Sequence, residues 1–251
     1  MTEFIEASDG VPLAFDVAGD GRPVLLIHGF AASRVITWRN TEWIGWLVRA
    51  GHWVIAPDCR GHGESGKPHD PRSYDDRRLA ADAVAILDSL SIPVADVMGY
   101  SMGGYLTANL LRESPGRFRR AVMAGVGETY FRFWPERSER VAQGLLAESL
   151  VSLSDPLQIE FRTFAERAGN DLVALAACMR RQRRLLTEEE LGRLKHPVLV
   201  VCGEEDTVSG RPEPLARLLG NARAVVVPKR NHHSTVGDLR YKQAAREFLA
   251  E

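Results

Sequence analysis

Cysteine is scarce in this chain of 251 residues: there are three, Cys59, Cys178 and Cys202. An odd number without metal-ligand spacing reads as free thiols in a reducing cytosol. Lysine is nearly as rare, confined to Lys67, Lys195, Lys229 and Lys242, so arginine carries almost all positive charge. Neither sign of charge dominates. The formal net charge is -1, which leaves no global field to draw the chain to nucleic acid or to an anionic membrane. No uninterrupted apolar run approaches the ~20 residues that span a bilayer. The opening Met1 to Glu6 is acidic and has no apolar stretch like that of a signal peptide, so a cytoplasmic location is expected. Internal repeats, glycine-rich phosphate loops and metal-ligand clusters are also missing, so no cofactor and no metal is expected.

What is present is ordinary globular composition, 45% hydrophobic and 26% charged, enough for one substantial core. Short runs at Phe4 to Ala7 and Val11 to Val17 flank Ser8-Asp9-Gly10 and read as a β-hairpin. Pro23 to Ile27 is apolar without alternation, as in a strand buried on both faces of a parallel sheet. Helix around Trp38 to Ala50, strand at Trp53 to Ala56, helix over Tyr74 to Leu90 and strands at Val94 to Met98 and Ala121 to Ala124 follow. Strands alternating with helices imply crossovers and a mostly parallel sheet covered on both faces. From about 127 to 186 no strand pattern is visible, only helix-like segments. Alternation resumes with a strand at Val198 to Val201, a helix near Pro214 to Leu219, a strand at Ala224 to Val227 and a helix from Asp238 to Leu249. One α/β domain over 1–251 with a helical insertion at 127–186 is expected.

The chain is organised around Gly99-Tyr100-Ser101-Met102-Gly103-Gly104. It sits between the apolar run ending at Met98 and the helix-compatible stretch Tyr105 to Leu111. A turn this tight crowds the neighbours of Ser101, and glycine at 99 and 103 removes the Cβ that would collide. The serine is lifted clear of the sheet, over a helix N-terminus that favours developing negative charge.

Ligands in open parallel sheets bind at the carboxyl ends of the strands. The polar residues there are His28, Asp58, Ser101, the Glu204-Glu205-Asp206 cluster and His232-His233. A serine hydroxyl needs an imidazole to take its proton, and the imidazole needs a carboxylate to fix its tautomer. Ser101, Asp206 and His232 stand in the chain order that this architecture uses. Backbone N–H groups of Phe30 and Met102 are candidates to stabilise an oxyanion.

Taken in order, His28-Gly29-Phe30, Asp58-x-Arg60-Gly61-His62-Gly63-x-Ser65, the turn at Ser101, Gly203-x-x-Asp206 and Asn231-His232 resemble the α/β-hydrolase fold family over essentially the whole chain. The resemblance implies Ser101 as nucleophile, Asp206 as acid, His232 as general base and a helical cap over the site. It also selects Asp206 over Glu204 and Glu205, and His232 over His233. The form is similar to small serine esterases and to lactone, thioester and carbon–carbon hydrolases. Serine at the turn departs from the dehalogenase and epoxide-hydrolase branches, whose nucleophile is aspartate. Where the family often has a glycine shortly before the histidine, this chain has Pro228-Lys229-Arg230-Asn231. A small ester or acyl compound is the expected partner.

Other residues carry plainer expectations. His28, Asp58 and the Arg60 to Gly63 run read as loop-shaping residues, and His62 is not expected to be a ligand. Asp96, at the far end of its strand, reads as a surface residue. The Arg180-Arg181-x-Arg183-Arg184 cluster reads as a solvated face of a cap helix, with a site for an acidic substrate as the alternative. Tyr100, Trp134 and Val208 are candidate pocket residues, and Phe131 and Phe133 join Trp134 in an aromatic cluster.

Overall fold

The computed structural model of the protein describes residues 2–132 and 135–251. The hairpin of β1 (Thr2–Glu6) and β2 (Pro12–Ala18) opens the chain, followed by β3 (Arg22–Ile27), α1 (Trp43–Arg49), β4 (His52–Pro57), α2 (Asp76–Ser89), β5 (Ala95–Tyr100), α3 (Met102–Glu113) and β6 (Phe118–Ala124). Among the described residues, four helices then come without a strand: α4 (Pro135–Leu146), α5 (Pro156–Arg167), α6 (Leu172–Met179) and α7 (Glu188–Arg193). The chain closes with β7 (Val198–Gly203), α8 (Pro212–Leu218), β8 (Ala222–Val227) and α9 (Leu239–Ala250).

The eight strands form one sheet in the order β1-β2-β4-β3-β5-β6-β7-β8. β1, β2 and β4 pair antiparallel, and every pair from β4 through β8 is parallel. Side chains of a strand alternate between faces, so unbroken apolar runs feed a core on each side. Leu25, Ile27, Val97 and Met123 enter one core, under α2 and α3. Val24, Leu26, Met98 and Val122 enter the other, under α1 and α9. A third cluster joins α4, α5 and α6 through Val141, Leu145, Ala165 and Leu175, and reaches the sheet side at Ala31.

Two expectations need correction here. The helix expected over Trp38 to Ala50 is broken: Val35–Arg39 makes a wide π turn, Glu42 turns left-handed at φ 61°, and α1 starts at Trp43. Residues five apart lie about 140° apart around a straight helix. The break lets Trp38 and Trp43 both enter the same core, edge to face at 6.1 Å. Asp96 is not at the surface but 1% exposed. β5 is central, flanked by β3 and β6, so even its first residues are covered. Arg119 from the neighbouring strand reaches in with Nη2 at 2.6 Å to neutralise the carboxylate.

Candidate active site

The site is built at the carboxyl end of the sheet. Ser101 links β5 to α3 at φ 53°, ψ -113°, a strained conformation for a residue with a Cβ. It is held there by Ser101 N donating to Ala124 O at 2.8 Å and by Gly104 N donating to Ser101 O at 2.8 Å. A Cβ on Gly99 would collide with Gly103 O, and one on Gly103 would collide with Ile27 O. Both glycines are therefore imposed by the close approach of strand, turn and helix.

Asp206 and His232 arrive from the loops after β7 and β8. Ser101 Oγ donates to His232 Nε2 at 3.0 Å, and His232 Nδ1 donates to Asp206 Oδ2 at 2.9 Å. That polarity follows from a carboxylate that can only accept. Asp206 is itself gripped: its Oδ1 accepts from Val208 N and Ser209 N at 2.9 Å each, and Ser209 Oγ donates to Oδ2. Burial pushes the Asp206 carboxyl up, but the hydrogen bond and charge of His232, then the bonds from Ser209, outweigh it and hold the group below its ordinary value. Glu204 instead accepts from Lys229 N at 2.8 Å, Glu205 is exposed, and His233 lies 3.5 Å from Glu160 with its side chain 66% exposed. Only one carboxylate and one imidazole of these neighbours line up with the serine.

A cavity of about 690 Å³ lies over Ser101. Phe30, Met102, Val208 and His232 line it. The loop carrying Phe30 comes close to the serine: a Cβ on Gly29 would sit 3.4 Å from Ser101 Cβ. Tyr100 is not a cavity residue. It is buried beneath, its hydroxyl donates to the backbone O of His232, and its ring lies 5.7 Å from the imidazole. A strand residue just before the turn points away from the serine, so Tyr100 supports the histidine loop from below. Trp134 and Phe133 lie outside the described residues.

His28 is fully buried, accepts at Nε2 from Cys59 N at 2.9 Å and donates from Nδ1 to Gly29 O at 2.7 Å. Burial, partly opposed by Asp58, pushes its pKa down, so it stays neutral and shapes the loop before Phe30. His62 packs edge-on against both His28 and Phe30, at 5.1 and 5.6 Å. Asp58 accepts from Arg34 N at 2.7 Å, from Glu64 N at 2.8 Å and from the Arg34 guanidinium. These residues are the framework of the strand-end loops.

One contributor carried no sequence signal. Asn170 bridges the helical segment to the site loops, donating to Ala31 O at 2.8 Å and accepting from Gly63 N at 3.1 Å. The arginine cluster is also not a uniform solvated face. α6 ends at Met179, Arg180 and Arg184 are exposed, and Arg181 and Arg183 line the cavity. Among the described residues, no group of His, Cys, Asp or Glu side chains could hold a metal ion, and no helix is long and apolar enough to cross a membrane.

A family model described as alpha/beta hydrolase fold matches residues 22–153, just over half of the chain. The chain belongs to the α/β-hydrolase fold family. Among curated relatives of this α/β hydrolase, 3-oxoadipate enol-lactonase 2 of Acinetobacter baylyi is 29% identical over 75% of this chain and 73% of its own. The 2-hydroxymuconate semialdehyde hydrolase of a Pseudomonas strain is 36% identical over 43% of this chain and 38% of its own. Among solved structures, a hydrolase from Pseudomonas aeruginosa superimposes with TM-score 0.80 at 26% identity, covering 100% of this chain and 98% of that one.

Proposed function

We propose that this hydrolase cleaves a carboxylic ester or similar acyl bond of a small molecule through an acyl-enzyme on Ser101, without a cofactor. The observation that carries the reading is the hydrogen-bonded line from Ser101 through His232 to Asp206 at the floor of a cavity. Ser101 Oγ attacks the carbonyl carbon while its proton passes to His232 Nε2. The imidazolium so formed is stabilised by Asp206, whose carboxylate the Val208 and Ser209 bonds keep ionised and aimed.

The carbonyl oxygen becomes an oxyanion that accepts from the backbone N–H groups of Phe30 and Met102. Preorganised donors of this kind are worth about 3 kcal/mol each. Collapse of the intermediate breaks the acyl C–O bond, and His232 returns the proton to the departing alkoxide. Water then repeats the cycle: His232 takes its proton, the hydroxide attacks the acyl carbon, and Ser101 leaves with the proton restored. Helices α4 to α6, within 127–186, serve as a cap that shields these steps from bulk water.

A lactone is a second substrate class for the same groups, favoured by the enol-lactonase name of the Acinetobacter relative. Its ring would open to an acyl-enzyme that retains the alcohol. The test is hydrolysis of p-nitrophenyl esters from acetate to decanoate and of small lactones by wild type and Ser101→Ala. Turnover present in wild type and lost in the variant supports the reading. Turnover that survives in Ser101→Ala overturns it.

A further inference from the structure

The Phe30 N–H faces an oxyanion only if the chain just after His28 takes one particular turn. Ala32 N donates to Gly29 O at 3.3 Å and closes that turn, with Phe30 and Ala31 in its middle. Ala31 is fully buried and left-handed at φ 57°, at the position that type II turns give to glycine. An alanine in this conformation is strained and persists only where its surroundings hold it. The Phe30 N–H itself has no acceptor among the described residues, as a donor kept for a substrate oxygen requires.

The group that holds Ala31 is Asn170. Its Nδ2 donates to Ala31 O at 2.8 Å, and its Oδ1 accepts from Gly63 N at 3.1 Å. Gly63 follows His62, whose ring packs edge-on against Phe30 at 5.6 Å. One amide thus ties down the two chain segments that flank Phe30, whereas a carboxylate in its place could only accept. Asn170 is itself fixed on both sides. Gly169 N donates to Glu166 O at 3.0 Å, Asn170 N donates to Ala165 O at 3.1 Å, and Gly169 stands at φ 67°, a glycine-terminated end for α5. Asp171 then starts α6 by accepting from Val173 N and Ala174 N at 2.9 Å each. The Asn170 side chain, 9% exposed, therefore reaches the turn from a rigid corner between two helices.

We propose that Asn170 is a positioning residue for the oxyanion site: by holding Ala31 O it fixes the strained turn that aims the Phe30 N–H at the carbonyl oxygen over Ser101. The proposal rests on Ser101 as nucleophile and on Phe30 as oxyanion donor. The helical segment over the cavity then sets part of the chemistry beneath it as well as covering it.

Steady-state kinetics of Asn170→Ala and Asn170→Asp, on the p-nitrophenyl ester that wild type turns over fastest, test this. The aspartate keeps the bond from Gly63 N and loses only the donation to Ala31 O. Both variants are expected to lower kcat about 10- to 100-fold, the scale of a misplaced oxyanion donor, with KM within about threefold of wild type. A trifluoromethyl ketone of matching chain length gives a second readout. Ser101 Oγ adds to its carbonyl carbon, the serine proton passes to His232, and the ketone oxygen becomes an oxyanion. Its inhibition constant is expected to rise by the factor by which kcat/KM falls, a correlation that a loosened fold alone would not produce. Wild-type kcat in Asn170→Asp overturns the proposal, because the Ala31 bond would then do nothing for the reaction. So does a rise in KM alone, which would make Asn170 a residue that only shapes the cavity. Circular dichroism follows the fold of each variant, and if Asn170→Ala does not fold, Asn170→Asp decides alone. Failure of the catalytic reading, which would take the proposal with it, shows separately. Wild type would then neither turn over esters nor bind the ketone, or turnover would survive in Ser101→Ala.

Discussion

The turn at Ser101 and the arginine-bearing wall of the same cavity are specified in opposite ways. At the turn, backbone geometry dictates residue type: glycine at 99 and 103 is forced by collisions with Gly103 O and Ile27 O, and the serine is held at φ 53°. At the wall, Arg181 and Arg183 lie beyond the end of α6 and reach the cavity because α4, α5 and α6 pack into one cluster against Ala31. Nothing local forces them inward. The turn is thus a rigid device encoded over six residues, whereas the wall is a surface assembled from long-range contacts.

If the turn carries the chemistry, the largest losses must come from its own line of groups. Ser101→Ala should lower ester turnover on the order of 10⁵- to 10⁶-fold with an unchanged melting temperature, since the missing hydroxyl lies on a preformed turn. Asp206→Asn should cost about 10⁴-fold, because an amide at that place no longer enforces the Nδ1–H tautomer of His232. His232→Ala should be at least about 10²-fold more damaging than His233→Ala, the margin that a positioned general base contributes. The reverse order in steady-state kinetics would move the base to His233.

The comparison is sharpened by stability as well as by rate. Asp58→Asn removes one of three carboxylates around the buried Arg34 guanidinium, leaving Asp16 and Glu64, and should cost ~1.5–3 kcal/mol in denaturant unfolding, the scale of one hydrogen bond to a charged group. Glu189→Ala, which removes the exposed Arg193–Glu189 pair on α7, should shift stability by about 0.5 kcal/mol or less. A large effect there would mean that the outer surface is more tightly coupled to the core than its exposure implies.

The legible part of the molecule follows the same division. The sheet, its crossovers and the candidates Ser101, Asp206 and His232 could be read because strand burial, turn sterics and chain order leave local marks. The choice among Glu204, Glu205 and Asp206 rested on one spacing, and the structure separates them by burial and by the Ser209 clamp, which depends on a turn that spacing alone does not describe. Tyr100 reads as a candidate pocket residue because its strand is an unbroken apolar run, with no alternation to show which way each side chain faces. Asp96 reads as a surface residue because the charge that accompanies it, Arg119, lies on the neighbouring strand and not nearby in the chain. Asn170 leaves no local mark, and the arginine cluster fits both a solvated face and an acidic-substrate site, since which side chains turn inward depends on how the helical segment folds back over the sheet.

The most direct test of the central claim is covalent labelling with a fluorophosphonate, read by mass spectrometry of the peptide containing Ser101. The account predicts a single adduct on Ser101 in the native protein, forming far more slowly in His232→Ala. No adduct at Ser101, or one that forms as fast without His232, would contradict it.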